Sequence, residues 1–231
     1  RPGAPAAYLP QVADPPAELK AQVDAVNLAT DKGYEHVDRC RPFVEAGLPI
    51  FVDKPLTDNE PDLVQFGEWV RAGKRIMSSS CMRYAKEFWP YRTSTHELGA
   101  LRYASITTPK SWERYGIHAL EGVYPILGPG FVSASNNGTE DRNIVHLEHE
   151  CGADVVIAAI SDMYGAFGAL TLAGTSGHVA VSFGDTFYAF QTQLRAFIDY
   201  LQTGERAFPF SETIEMMKII IESRSRILPV S

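Results

Sequence analysis

The sequence predicts an α/β fold in two parts. A short parallel sheet of alternating strands and helices comes first. An α+β region with a large, mostly antiparallel sheet follows. Three observations predict this. Between Asp24 and Ser79, apolar strand runs alternate with helix patterns, and that alternation means parallel strands. From Ala100 onward strands dominate, punctuated by Gly138, Gly152, Gly165 and Gly177 as in antiparallel meanders. Two helical stretches then close the chain.

Asp24-Ala-Val-Asn-Leu-Ala-Thr30 has a buried-strand pattern. Gly33 to Ala46 reads as a helix with His36 near its start, and Gly47 stands where a helix C-cap needs positive φ. Ile50, Phe51 and Val52 form the short apolar run of a buried parallel strand. Asp53, Lys54 and Pro55 follow at its carboxyl end, the edge where open α/β sheets bind ligands. Pro55 pushes Lys54 out of the α region, so the backbone aims the ammonium. A lysine beside a buried strand is costly unless it acts there; the plain alternative is a surface Lys-Pro turn. Pro61 to Ala72 is a helix with Leu63, Phe66 and Val70 as its apolar stripe, ending at Gly73. Later strands are expected over Leu101–Thr107, Val132–Asn136, Asn143–Glu150, Ala153–Ile160, Ala166–Leu172 and His178–Phe183. The closing helices span Phe187–Thr203 and Ser211–Arg226, with Ser211 resembling a helix start although Glu212 misses capping-box spacing.

Composition narrows the function. The chain has 231 residues, 45% of them hydrophobic, enough for one large domain or two modest ones. A net charge of -7 argues against nucleic acid as a partner. Cys40, Cys81 and Cys151 are odd in number and far apart, which suits reduced thiols in the cytoplasm better than a disulfide framework or a zinc site. No apolar run is long enough to span a membrane. His146, Glu148 and Glu150 share one strand face and His149 the other, which reads as a solvated sheet face rather than a metal site. Trp69, Trp89 and Trp112 read as core or interface.

The strand–helix–strand–Lys-Pro order resembles the Gfo/Idh/MocA family of NAD(P)-dependent oxidoreductases. Asp24, Ala25, Val26, Ala29, Thr30, His36, Ala46, Gly47, Lys54 and Pro55 match its "DAVxIATP", helix-opening histidine and "AGKHVxxEKP" pattern. Asp53 replaces the family's glutamate, and Asp31 the proline after Ala-Thr. Downstream, Lys74–Ser80 looks like the last strand of the dinucleotide-binding domain. Arg83-Tyr84 matches an arginine–aromatic pair, Leu98–Ala104 the start of the second domain, and Tyr115–Glu121 a histidine-bearing helix over the active site. The resemblance implies a partial Rossmann-type domain over residues 1–82. Residues 83–231 would form a substrate-binding and oligomerisation domain whose closing helices pack back on the first. The family's Gly-x-Gly-x-x-Gly turn has no counterpart: Gly128-Pro-Gly130, Gly165–Gly168 and Gly174–Gly177 lack its spacing. With a loop-like opening at Arg1, the chain reads as a fragment of a longer protein.

Oxidising a sugar-like alcohol needs a nicotinamide against the carbinol carbon, a base for the hydroxyl proton, and a positive charge for the developing alkoxide. The resemblance assigns the charge to Lys54 and proton transfer to His118, whose ordinary pKa of ~6.5 suits the task. It places Thr30, His36, Asp53, Lys54 and Pro55 at NAD or NADP, and Arg83, Tyr84, Arg114 and Tyr115 at the substrate. The family often has an aspartate where Arg114 stands. Arginine is no base, but it can grip a carboxylate or phosphate. The implied activity is hydride transfer between NAD(P) and a sugar, cyclitol or related polyol by a cytoplasmic homo-oligomer. The alternative is a non-catalytic ligand-binding regulator or scaffold. For oligomerisation, the expectation is an outward sheet face carrying Val155, Ile157 and Ala159 or their alternates.

Overall fold

The computed structural model describes residues 21–139, 141–163 and 168–224. The loop expected at the start of the chain, the first residues of the strand expected from Ala166, and the end of the helix expected to reach Arg226 lie outside them. Strands β1 (Val26–Leu28), β2 (Ile50–Asp53) and β3 (Ile76–Ser79) pair in parallel in the order β1-β2-β3. Ile50, Phe51 and Val52 are at most 3% exposed, as a strand covered on both faces requires. Helix α1 (His36–Glu45) is entered through a 3-10 turn over Gly33–Glu35, and Gly47 takes φ 76° at its end. Helix α2 (Glu60–Arg71) starts where local chemistry dictates: the Asn59 side chain accepts from the Asp62 N–H at 3.0 Å, and Pro61 lies in the first turn. Leu63 and Phe66 bury its apolar stripe.

Beyond β3, two 3-10 turns (Cys81–Tyr84 and Lys86–Phe88) lead to the short helix α3 (Trp89–Thr93). The second sheet holds β4 (Leu101–Pro109), β5 (Phe131–Asn136), β6 (Arg142–His149), β7 (Ala153–Ile160), β8 (Ala169–Gly174) and β9 (His178–Ser182) in the order β5-β6-β7-β4-β8-β9. Every neighbouring pair is antiparallel except β4 and β7, which run parallel. Helix α4 (Trp112–Leu127) leaves β4 and begins the crossover that makes that pairing possible. Helices α5 (Thr186–Thr203) and α6 (Phe210–Glu222) follow the sheet.

Val155, Ile157 and Ala159 are fully buried beside Val145 and Leu147, so they face the core. Their alternates, Val156, Ala158 and Ile160, belong to the open face and are half-buried, near the exposed Ile144. Period-two alternation divides the residues this way, and the helices select the face.

Helices α4 and α6 bind the two sheets together. Trp112 is fully buried and its indole N–H donates to Ser223 Oγ at 3.1 Å. A Cβ at Gly116 would come within 2.3 Å of the Trp112 ring and 2.8 Å of Ile220 Cδ1, so glycine lets that ring and α6 close on α4. From the far end of the chain, Gln193 donates to the Ser79 carbonyl at 2.6 Å and Thr213 to the Ser78 carbonyl at 3.4 Å. Both carbonyls belong to β3, so the closing helices fix the edge strand that leads to the site. Helix α6 starts one residue before the expected Ser211 and has no side-chain cap; Pro209 ends the preceding extended segment. Trp69 packs half-buried on the core, whereas Trp89 is 40% exposed.

Candidate active site

The site gathers at the carboxyl ends of β1, β2 and β3. Lys54 leaves β2 into a bond with Pro55 that is cis. Its ammonium lies 4.6 Å from the centroid of the Tyr115 ring on the first turn of α4. Lys110 approaches the same ring at 4.4 Å and donates to the Tyr115 hydroxyl at 2.7 Å. Cation–π attraction thus holds two ammonium groups around one aromatic ring. Lys110 takes φ 66° in the turn between β4 and α4, the only non-glycine positive φ among the described residues. A lysine held in that sparsely populated region marks a turn determined by its surroundings.

His118 is one helical turn beyond Tyr115, and the two rings are 5.0 Å apart. It is 5% exposed, and its Nδ1 lies 2.5 Å from Ser80 Oγ at the end of β3. Ser80 Oγ also accepts from the Met82 N–H at 3.1 Å, which fixes the hydroxyl. Burial first, then the nearby charges of Lys54 and Lys110, holds the imidazole pKa well below its ordinary value. At neutral pH His118 is therefore uncharged and able to accept a proton. The tautomer in which Nδ1–H donates to Ser80 Oγ leaves Nε2 as the acceptor.

The other expected residues divide into two groups. Thr30, Asp53, Pro55 and Arg114 surround the Lys54 edge. Pro55 and Arg114 line a crevice of about 300 Å³ with Asp31, Lys32, Gly33 and Tyr34. Arg114 reaches Asp31 at 3.5 Å, an exposed pair. Burial raises the Asp53 pKa, with Lys54 opposing. His36 is fully buried; its Nδ1 lies 3.0 Å from the Leu56 carbonyl and its Nε2 3.1 Å from the Thr30 carbonyl. It ties together the segments that carry Thr30 and Lys54.

Arg83 and Tyr84 lie elsewhere. Arg83 is 6% exposed and pairs with Glu121 on α4 and, at 2.8 Å, with Glu212 on α6. These ion pairs join the turn after β3 to α4 and α6. Arg83 and Tyr84 line a second cavity, which shares no lining residue with the Lys54-side crevice.

A dinucleotide's nicotinamide end fits the Lys54 edge. The Thr30 hydroxyl is shielded from solvent with no hydrogen-bond partner among the described residues, and a Cβ at Gly33 would meet the backbone of Asp58 at 2.8 Å, so this lining is drawn tight. Thr30, Asp53 and Pro55 are the residues that would hold it. For the pyrophosphate, no glycine-rich turn opens a helix among the described residues.

Sequence reasoning passed over Lys110 and Ser80, and it offered Glu121 as a cap for His118, whereas Glu121 pairs with Arg83. Only Lys110 left a signal, as the charged residue in a Pro109-Lys110-Ser111 turn between a strand and the histidine-bearing helix.

No protein-family model matches the sequence, and no curated protein matches it significantly. Solved structures do match. Myo-inositol 2-dehydrogenase from Lactobacillus plantarum superposes with a TM-score of 0.80 at 13% identity, over 94% of this chain and 83% of its own. GenD2 from gentamicin A biosynthesis, in complex with NAD, gives 0.79 at 17% identity, over 94% and 80%. UDP-N-acetylglucosamine 3-dehydrogenase GnnA from Acidithiobacillus ferrooxidans gives 0.78 at 16%, over 95% and 83%. The chain has the fold of these inositol and sugar dehydrogenases.

Proposed function

We propose that the chain is an oxidoreductase that transfers a hydride between NAD or NADP and a sugar, cyclitol or related polyol. In this reading residues 1–82 belong to the dinucleotide-binding part and 83–231 to the substrate-binding part, and the protein works in the cytoplasm as a homo-oligomer through the open face of the second sheet. One observation carries it. A strand-end lysine and a buried histidine, held below its ordinary pKa, both lie against the Tyr115 ring. The fold's likeness to sugar and inositol dehydrogenases supports it.

The bound nicotinamide supplies the acceptor for the hydride. The protein's own residues do the rest. Lys54 holds the reacting hydroxyl and stabilises the alkoxide as charge develops. His118 takes the hydroxyl proton at Nε2, with Ser80 holding Nδ1 and so the ring orientation. Tyr115 keeps Lys54 and His118 in register. The carbinol carbon loses its hydride and becomes a carbonyl. Arg114 and Lys32 line the adjoining crevice together with Asp31, Asp58 and Glu113, a mixed set that offers donors and acceptors to the hydroxyls of a polyol.

The test is oxidation of inositols, neutral hexoses, uronates and sugar phosphates with NAD and with NADP, followed by nicotinamide absorbance. Turnover of at least one is the expected result. Binding of polyols without turnover of any would favour the non-catalytic regulator instead.

A further inference from the structure

The second cavity has a volume of about 330 Å³ and lies between α3, the carboxyl end of α4 and the start of α6. Arg83, Arg92, Tyr124, Pro125, Phe208 and Glu212 are among its walls. Arg83 Nη2 and Arg92 Nε and Nη2 are shielded from solvent, and none has a hydrogen-bond partner among the described residues. Buried donors are almost always satisfied, and leaving one unmade costs the full desolvation of the group. Three unmet guanidinium nitrogens around one cavity therefore call for an acceptor that comes from outside the fold.

The two arginines are not equivalent. Arg83 is held by Glu121 and Glu212 and stacks 3.8 Å from the Phe208 ring centroid. Arg92 pairs with no described carboxylate. Its unmet atoms, Nε and Nη2, form the side-on edge of the guanidinium, whose two parallel N–H groups match the two oxygens of a carboxylate. Arg92 stands on the five-residue helix α3 and lines the cavity. Charge and shape narrow the ligand further. Two arginines and one glutamate line the cavity, a net single positive charge that a monoanion matches. Tyr124, Pro125 and Phe208 offer apolar wall for the rest of the molecule.

We propose that this cavity is a binding site for a small organic monocarboxylate, gripped side-on by Arg92, with Arg83 as a second donor and the Tyr124–Phe208 wall packing its apolar body. The site is independent of the oxidoreductase reading, because it shares no lining residue with the Lys54-side crevice.

Calorimetric titration of the protein with benzoate, acetate and inorganic phosphate at constant ionic strength tests it. Saturable one-to-one binding of benzoate, weaker binding of acetate and weaker still of phosphate are expected. Arg92→Ala and Arg92→Lys should each weaken benzoate at least about tenfold, lysine included because it keeps the charge but loses the fork. Thermal denaturation of both variants checks that they fold. If either does not, chemical-shift change at the Arg92 Nε–H of the unmodified protein on adding benzoate supplies the same evidence. No saturable benzoate binding to the unmodified protein, undiminished binding by folded Arg92→Ala, or phosphate binding tighter than either carboxylate would overturn the proposal.

Discussion

Two successive turns of α4 treat a buried titratable group in opposite ways. At His118 the helix buries an imidazole beside two lysines and gives it a hydroxyl partner, so the group is kept neutral. At Glu121, three residues on, it buries a carboxyl entirely and answers it with Arg83, itself shared with Glu212. Burial raises the Glu121 pKa and Arg83 opposes that shift. The first arrangement leaves a group whose protonation can change during a reaction. The second locks the linker after β3 to α4 and α6. The same depth of burial on one helix thus accompanies two different electrostatic surroundings.

The largest effect should come from breaking the structural turn. Glu121→Ala leaves the buried Arg83 with half its compensation, and removing one partner of a buried pair costs about 3–5 kcal/mol. Urea denaturation should show that loss. A change below about 1 kcal/mol would mean that Arg83 relaxes to solvent, and the contrast between the two turns would fail.

Next comes the functional turn's charge. Lys54→Ala should lower turnover by about 10²–10³, the loss typical of a donor that stabilises developing negative charge, and far more than it weakens NAD(P)H binding. Turnover equal to the unmodified enzyme on a true substrate would remove Lys54 from the chemistry.

The smallest effect sharpens the comparison through pH. His118 has a folded pKa below its unfolded value of 6.5, so between the two the unfolded chain binds the extra proton. Stability linked to His118 is thus fully present above about pH 6.5 and is lost as pH falls towards the folded value, by at most about 1.4 kcal/mol per pH unit. Comparing unfolding free energies of the unmodified protein and His118→Asn from pH 8 to about 5 isolates this contribution. The difference should be flat above 6.5 and should shift in favour of the variant below it. A difference that stays flat throughout would show that His118 protonates freely in the folded protein.

Most of the local structure was legible in the chain. Asn59, Pro61 and Gly73 bound α2 because capping and backbone conformation depend on near neighbours. The Ile50–Val52 run declared a strand buried on both faces. Less was legible where partners decide. Ser211 looked like a helix start, yet α6 begins at Phe210, where the turn after Pro209 packs into the core. The alternation around Val155 and Ile157 was readable, but not which of the two faces the helices cover.

The sequence by itself determined the order of elements, the parallel first sheet, and the placing of a lysine at a strand end and a histidine on the helix above it. These follow from periodicity and from steric rules that act over a few residues. Tertiary structure alone decided that Ser80 meets His118 across 38 residues, that Arg83 reaches Glu212 across 129, and that Lys110 and Lys54 share Tyr115. It also decided the parallel pairing of β4 with β7 in an otherwise antiparallel sheet. The physical reason is the range of the forces. Helix and strand patterns record which face of a segment avoids water. The charges and hydroxyls that tune a buried group come from whichever segments pack against it, and no local spacing records that choice.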